Sequence, residues 1–281
     1  MHLQQLRRLA KRVSALRVSI YAANASFFLL LAAFPAILLL LSILQYTPLT
    51  QEDFMSLVRD LVPSVLLPLI EYVVTDVFEA SSWTVLSISA LTAIWSASRG
   101  VYGVVIGLNS IYQAKENRSY LAVRLACVFY TALFLIALLL TLAAHVFGRK
   151  ILAFFSSKDI PIFHFLAYLM RLRFLVVAVV LTLFFTVIFM VFPNRRSGFL
   201  ASLPGAAAAA VAWIGFSAIF SVYTAKFGNY SAIYGGIAGI ALTMLWLYSC
   251  MCILFYGGVL NRCLALYGAR LRIHLAQKRE K

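Results

Sequence analysis

Acidic residues are scarce in this sequence: nine Asp and Glu stand against 24 Lys and Arg in 281 residues, a net charge of +15. Charged residues of all kinds make up only 12% of the chain, while 63% is hydrophobic and the mean hydropathy is +0.94. So little polar surface cannot cover a soluble core of this length, and a lipid-facing exterior follows. Cysteine is also sparse. Cys127, Cys250, Cys252 and Cys263 form no CxxC, and Cys250 and Cys252, two apart, point to different faces of a helix and cannot clamp a metal together. They read as small buried hydrophobes. His2, His145, His164 and His274 are scattered and make no HExxH; GxSxG, a Walker loop and GxGxxG are missing. No metal, no cofactor and no enzymatic chemistry are expected. A nuclease would want clustered carboxylates, whereas the expected cytoplasmic face offers only Glu116 and Glu280. The positive excess is therefore assigned to cytoplasmic loops and anionic lipid headgroups, with no nucleic-acid partner.

What remains is apolar runs. Each needs about 20 residues to cross the hydrocarbon as a helix, and six qualify, at about 20–44, 83–110, 125–147, 174–192, 199–223 and 233–260. The fold class is an all-α integral membrane protein, a six-transmembrane-helix bundle forming one domain over 19–261. Residues 1–18 place Leu3, Leu6, Leu9, Val13 and Leu16 at helical spacing with Arg7, Arg8, Lys11 and Arg12 mostly opposite, the pattern of a basic amphipathic helix on an anionic membrane face. Pro35 predicts a kink within the first span. Residues 45–82 hold six of the nine acids, and Pro63, Pro68, Glu71 and Asp76 interrupt the apolar stretch 61–78. That stretch is expected to be interfacial or re-entrant. Residues 262–281 form a basic tail.

With both termini inside, the inner segments carry sixteen Lys and Arg and the outer ones seven. That asymmetry predicts cytoplasmic termini. The basic, aromatic 148–173 connection runs against it, and is expected to lie along the interface with Arg171 and Arg173 on headgroups. Gly103 with Gly107, Gly205 with Ala209, and Gly235 with Gly239 are small-xxx-small pairs that let helices approach closely.

Arg99 is the one charged residue well inside an expected span, and insertion there costs about 3 kcal/mol. It follows Trp95-Ser96-Ala97-Ser98, sixteen residues after Trp83, about 24 Å of helix rise. It either snorkels to headgroups or lines a substrate pathway. Asn24, Asn109 and Asn261 fall at similar depth and would, if their helices pack together, line a polar cavity around it. Each alone is also an ordinary interhelical hydrogen-bonding residue. No Asp or Glu lies within the six spans, so a carboxylate proton relay or a cation pathway has no lining. A lone arginine suits an anionic group, a phosphate or lipid headgroup. On the far side Tyr223, Asn229, Tyr230 and Tyr234 are candidates for an outer gate, or for an interfacial tyrosine belt.

Ala25-Ser26-Phe27-Phe28 through Phe34-Pro35, Trp95-Ser96-Ala97-Ser98-Arg99-Gly100 with Asn109, Leu203-Pro204-Gly205, Tyr234-Gly235-Gly236, Leu245-Trp246-Leu247-Tyr248 and Gly257-Gly258-Val259-Leu260-Asn261 together resemble the YihY/BrkB family of bacterial inner-membrane proteins, in order, over about residues 15–265. The resemblance implies a six-helix protein of the bacterial inner membrane. It also implies that the family's recurring Arg and Asn fall on Arg99 and Asn109, its Pro on Pro35 and its terminal Asn on Asn261. The family is named for a virulence and serum-resistance factor, was once labelled a ribonuclease, and has members suspected of moving envelope material. Members often carry Glu where this chain has Val259, so no mechanism can run through that carboxylate here. The expected function is transport or flipping of an anionic, lipid-like envelope molecule. The alternative is a non-transporting scaffold for envelope organisation. Membrane lipids, a second copy of the chain or envelope proteins are the expected partners.

Overall fold

A computed structural model of the chain describes residues 16–44, 83–137, 173–195, 197–226 and 228–279, with seven isolated helical positions between 52 and 75. The described residues are all-helical. They form α1 (Val18–Leu44), α2 (Trp83–Tyr112), α3 (Tyr120–Ala137), α4 (Arg173–Val191), α5 (Phe199–Lys226) and α6 (Gly228–Arg279). Stretches long and apolar enough to cross a membrane lie at Ser87–Tyr112, Tyr120–Ala137, Phe199–Thr224 and Gly239–Gly268, and shorter apolar helices at Val18–Ala33 and Val177–Val191. The expected basic helix over 1–18 and the interfacial element over 45–82 fall almost entirely outside the described residues. So does the 148–173 connection.

The bundle wears its apolar residues outward as well as inward. Leu91 is 72% exposed, Leu200 79%, Val211 69% and Ile219 71%, a pattern that lipid accommodates and water does not. Several buried hydroxyls within the helices are satisfied locally. Ser26, Thr131, Thr186 and Thr243 each donate to the carbonyl four residues back, at 2.6–2.8 Å, so none is stranded in an apolar setting. Pro35 lies inside α1, which continues past it to Leu44.

The core joins α1, α2, α4, α5 and α6 around the fully buried Phe185, Phe189, Phe255, Leu108 and Ile111. Close approach rests on the small residues. A Cβ at Gly107 would lie 2.5 Å from the Phe255 ring, and one at Gly103 would lie 2.7 Å from Asn24 Oδ1. A Cβ at Gly205 would collide with the Gly257 carbonyl, and one at Gly257 would meet Ala209 at 2.9 Å. Gly205 and Ala209 thus pack as a small-xxx-small face, with Gly257 of α6 seated against it.

Two helix ends on one side of the bundle are well capped. α2 closes with Gln113 in the left-handed region (φ 53°). Gln113 N–H donates to Ser110 O at 3.2 Å and Ala114 N–H to Asn109 O at 2.9 Å, the paired bonds of a Schellman ending. Ser119 caps α3 by accepting the Ala122 N–H at 3.3 Å. α6 is 52 residues long, about 78 Å of rise against roughly 30 Å of hydrocarbon. The segment expected as a basic tail therefore continues the last helix as far as Arg279. The helix also begins at Gly228, five residues before the sixth span expected from about 233.

Candidate functional site

Arg99 sits near the middle of α2, sixteen residues from Trp83 and thirteen from Tyr112. Its side chain is exposed on the flank of the bundle. Its guanidinium carbon lies 5.5 Å from the Phe28 ring of α1 and 5.6 Å from the Trp95 ring one turn away. A second guanidinium shares that tryptophan: Arg124 of α3 lies 5.2 Å from the Trp95 ring and 5.9 Å from Tyr102. Arg124 is buried, at 9% exposure. Among the described residues the one ion pair is Arg118–Glu116, so both arginines at Trp95 have aromatic faces and no carboxylate. Aromatic faces offer about 0.5–1 kcal/mol each at exposed sites, less than the cost of holding a guanidinium at membrane depth. The apolar run places the third span at about 125–147, which puts Arg124 just outside it. The structure starts α3 at Tyr120, and Ser119, a good cap two turns from the apolar run, is the signal that would have found it.

The three asparagines do not gather around Arg99; each hydrogen bond described for them goes elsewhere. Asn24 is exposed and lies against Gly103. Asn109, 5% exposed, ties the α2–α3 connection to the α4–α5 connection. Its Nδ2 donates to Glu116 Oε2 at 2.7 Å, and its Oδ1 accepts the Asn194 N–H at 2.7 Å. Glu116 also accepts from Arg118 Nε and Nη2 at 2.8 Å each and from the Arg118 N–H at 3.1 Å. Those bonds from Arg118, ahead of the one from Asn109, hold its carboxyl below the usual carboxylate value although burial pushes the other way. Asn194 Nδ2 in turn donates to Lys115 O at 3.0 Å.

Asn261, 1% exposed, does a similar job one layer deeper. Its Oδ1 accepts the Gly205 N–H at 2.7 Å and its Nδ2 donates to Ser202 O at 2.9 Å. Both groups flank Pro204, which lies inside α5 and cannot donate to the helix ladder. An α6 side chain thus ties its helix to the α5 backbone on either side of the proline. Val259, at the position of the family's Glu, is buried in the core.

Tyr223 is exposed and its ring lies 6.2 Å from Phe220. Asn229, Tyr230 and Tyr234 belong to the first turns of α6, and their side chains fall outside the described residues. So do Arg7, Arg8, Lys11, Arg12 and Arg171, and Arg173 contributes only its backbone, as the first residue of α4. Within the described residues no group of three His, Cys, Asp or Glu is placed to hold a metal ion.

Outward apolar faces, locally satisfied hydroxyls and long apolar helices define an α-helical membrane protein with an arginine on its flank. The sequence places it more closely. The chain belongs to the virulence factor BrkB family, which matches residues 9–280. It is 33% identical over 247 residues to the ribonuclease-like protein YfkH of Bacillus subtilis (strain 168), covering 86% of this chain and 88% of that one. Identity to a UPF0761 membrane protein of Actinobacillus pleuropneumoniae serotype 5b (strain L20) is 24% over 246 residues, 84% of either chain. A UPF0761 membrane protein of Alkalilimnicola ehrlichii is 28% identical over 256 residues, which is 88% of this chain and 55% of that protein. No solved structure matches.

Proposed function

We propose that this protein crosses the bacterial inner membrane six times with both termini in the cytoplasm, and that it moves an anionic, lipid-like envelope molecule along its flank rather than through a central pore. The observation that carries this is Arg99, mid-helix and exposed, with Phe28 and Trp95 beside it and no carboxylate among the described residues. A guanidinium so placed gains most from a phosphate or similar headgroup, while the exposed apolar surface around it (Leu91, Trp95) suits acyl chains. Arg124, 5.2 Å from the same Trp95 ring, offers a second positive charge close by. The α2–α3 and α4–α5 connections are bonded together at one end of the bundle, as the proposed alternation of spans requires, and the excess of Lys and Arg expected on inner segments supports placing that end in the cytoplasm. The role is non-enzymatic; the ribonuclease-like name belongs to the relative.

The test is transbilayer movement of labelled lipids in proteoliposomes. Wild type should move an anionic phospholipid faster than phosphatidylcholine, and Arg99→Ala should fall to the protein-free rate. If Arg99→Ala matches wild type for every lipid and anion tried, the assignment of this site fails.

One observation favours the scaffold alternative. The centre of the bundle is closed by Phe185, Phe189, Phe255 and the Gly205–Gly257 contact, as a protein that only organises others would have it. Wild type folded and inert towards every lipid, yet retaining a second copy or an envelope protein on purification, would select that alternative.

A further inference from the structure

At the end of the bundle where the connections meet, α2 finishes against two more arginines. The Arg195 guanidinium carbon lies 3.6 Å from the centre of the Tyr112 ring. Arg262 Nη1 donates to the carbonyl of the neighbouring residue, Ile111, at 2.5 Å. Capping the negative end of α2 explains Arg262. It does not explain the polar atoms left over. Tyr112 is 7% exposed and its hydroxyl lies beside the Asn261 amide, whose oxygen and nitrogen are already bonded to α5, so it makes no well-formed hydrogen bond there, and Arg195 Nε is buried and unpartnered. Ser202, whose carbonyl receives Asn261, is 1% exposed and its hydroxyl is unpartnered too. Buried donors left without acceptors are costly. Nor does a neighbouring carboxylate serve: Glu116 is taken up by Arg118 and Asn109.

We infer that Arg195, Arg262 and the Tyr112 hydroxyl form a binding site for a phosphate-type oxyanion at this end of the bundle, separate from Arg99. Two guanidiniums and a phenol supply donors only to a ligand with several acceptor oxygens, which a phosphate group has and a chloride lacks. Burial, reinforced by the charge of Arg262, lowers the pKa of Arg195 against the opposing effect of Tyr112, and an anion between the arginines would relieve that repulsion. The site does not depend on the transport reading. The phosphate comes either free in the cytosol or on a lipid headgroup.

Thermal unfolding of the full chain in nanodiscs separates these sources. Wild type in phosphatidylcholine is titrated with inorganic phosphate, with chloride as control, and compared with wild type in phosphatidylcholine containing phosphatidic acid. Stabilisation by inorganic phosphate assigns the free anion, and stabilisation by phosphatidic acid alone assigns the headgroup. In either case Tyr112→Phe, which removes one oxygen and nothing from the packing, should weaken the apparent affinity about tenfold. Arg195→Gln should abolish the response. If wild type responds to neither source, or if Tyr112→Phe responds as wild type does, the site is overturned. Should Arg195→Gln fail to fold, Tyr112→Phe still decides the matter, and a cap without a ligand would show as an unliganded loss in Arg195→Gln with no phosphate-dependent shift in any variant.

Discussion

Asn261 and Arg99 are both polar residues in apolar surroundings, and the bundle treats them in opposite ways. Asn261 is fully enclosed, and both ends of its amide are bonded to the α5 backbone beside Pro204. Arg99 is exposed, and its described neighbours are two aromatic rings. Depth alone does not make a residue functional. A polar group whose hydrogen bonds are all spent inside the fold is a structural part, and one held at a cost without them has capacity left for a ligand. The end clamp of Asn109, Glu116, Arg118 and Asn194 falls on the structural side of that line.

The structural side can be broken first at Gly205, where the largest effect is expected. Gly205→Val places side-chain atoms against the Gly257 carbonyl and Asn261, both held by their own bonds and unable to give. Overpacking typically costs about 1–3 kcal/mol, and more where, as here, the atoms met are backbone and cannot move aside. The variant should fail to accumulate as a monodisperse species in detergent, as size-exclusion chromatography would show. Asn261→Leu comes next. It removes both buried hydrogen bonds from α6 to the α5 backbone, at about 1–1.5 kcal/mol each. A fall of about 2–3 kcal/mol in unfolding free energy is expected, and a value near zero would show that the amide does not brace α5.

The apolar runs made the helices legible. Trp83, Phe199 and the end of α1 fall within two residues of where the sequence puts them, because lipid-length hydrophobic stretches need no partner to be recognised. Gly103 with Gly107 and Gly205 with Ala209 were legible from their spacing and do sit at close helix contacts, while Gly235 of the third pair lies outside the residues whose side-chain surroundings are described. What could not be read was which polar residues meet. Asn109 and Asn194 are 85 residues apart and Asn261 and Gly205 are 56 apart, so local spacing places each amide at a depth without naming its partner. Three asparagines at similar depth therefore suggested one cavity around Arg99, where the fold uses two of them as separate clamps. Arg124 was missed through a helix start only five residues too late. The stacking of Arg195 on Tyr112 carries no sequence signal, since it depends on the α4–α5 connection folding back over α2.

Glu116→Gln is a milder break. The carboxyl is held below its usual value chiefly by hydrogen bonds from Arg118, so the folded state favours the charged form. The resulting stabilisation is fully present above the pKa of the unfolded carboxyl, about 4.3, and is lost as pH falls through the lower folded value. Wild type should therefore lose stability on acidification below that range. Glu116→Gln should start about 1 kcal/mol lower at neutral pH and lack this component of the acid loss, measured by thermal unfolding across the pH series.

Arg99→Ala sharpens the comparison from the other side, because its structural effect should be the smallest. Removing the guanidinium forfeits two aromatic contacts worth about 0.5–1 kcal/mol each at an exposed position. It also removes a charge that costs roughly 2.5–3.5 kcal/mol to hold in the middle of a span. These terms oppose one another, so unfolding in detergent should shift by no more than about 1 kcal/mol, in either direction, while Asn261→Leu is clearly destabilised. If Arg99→Ala instead unfolds as readily as Asn261→Leu, the guanidinium is holding the helices together through partners other than Phe28 and Trp95. The distinction between spent and unspent polar groups would then not apply to it. A near-neutral stability together with a lost lipid flux is the combination that only a ligand-facing arginine produces.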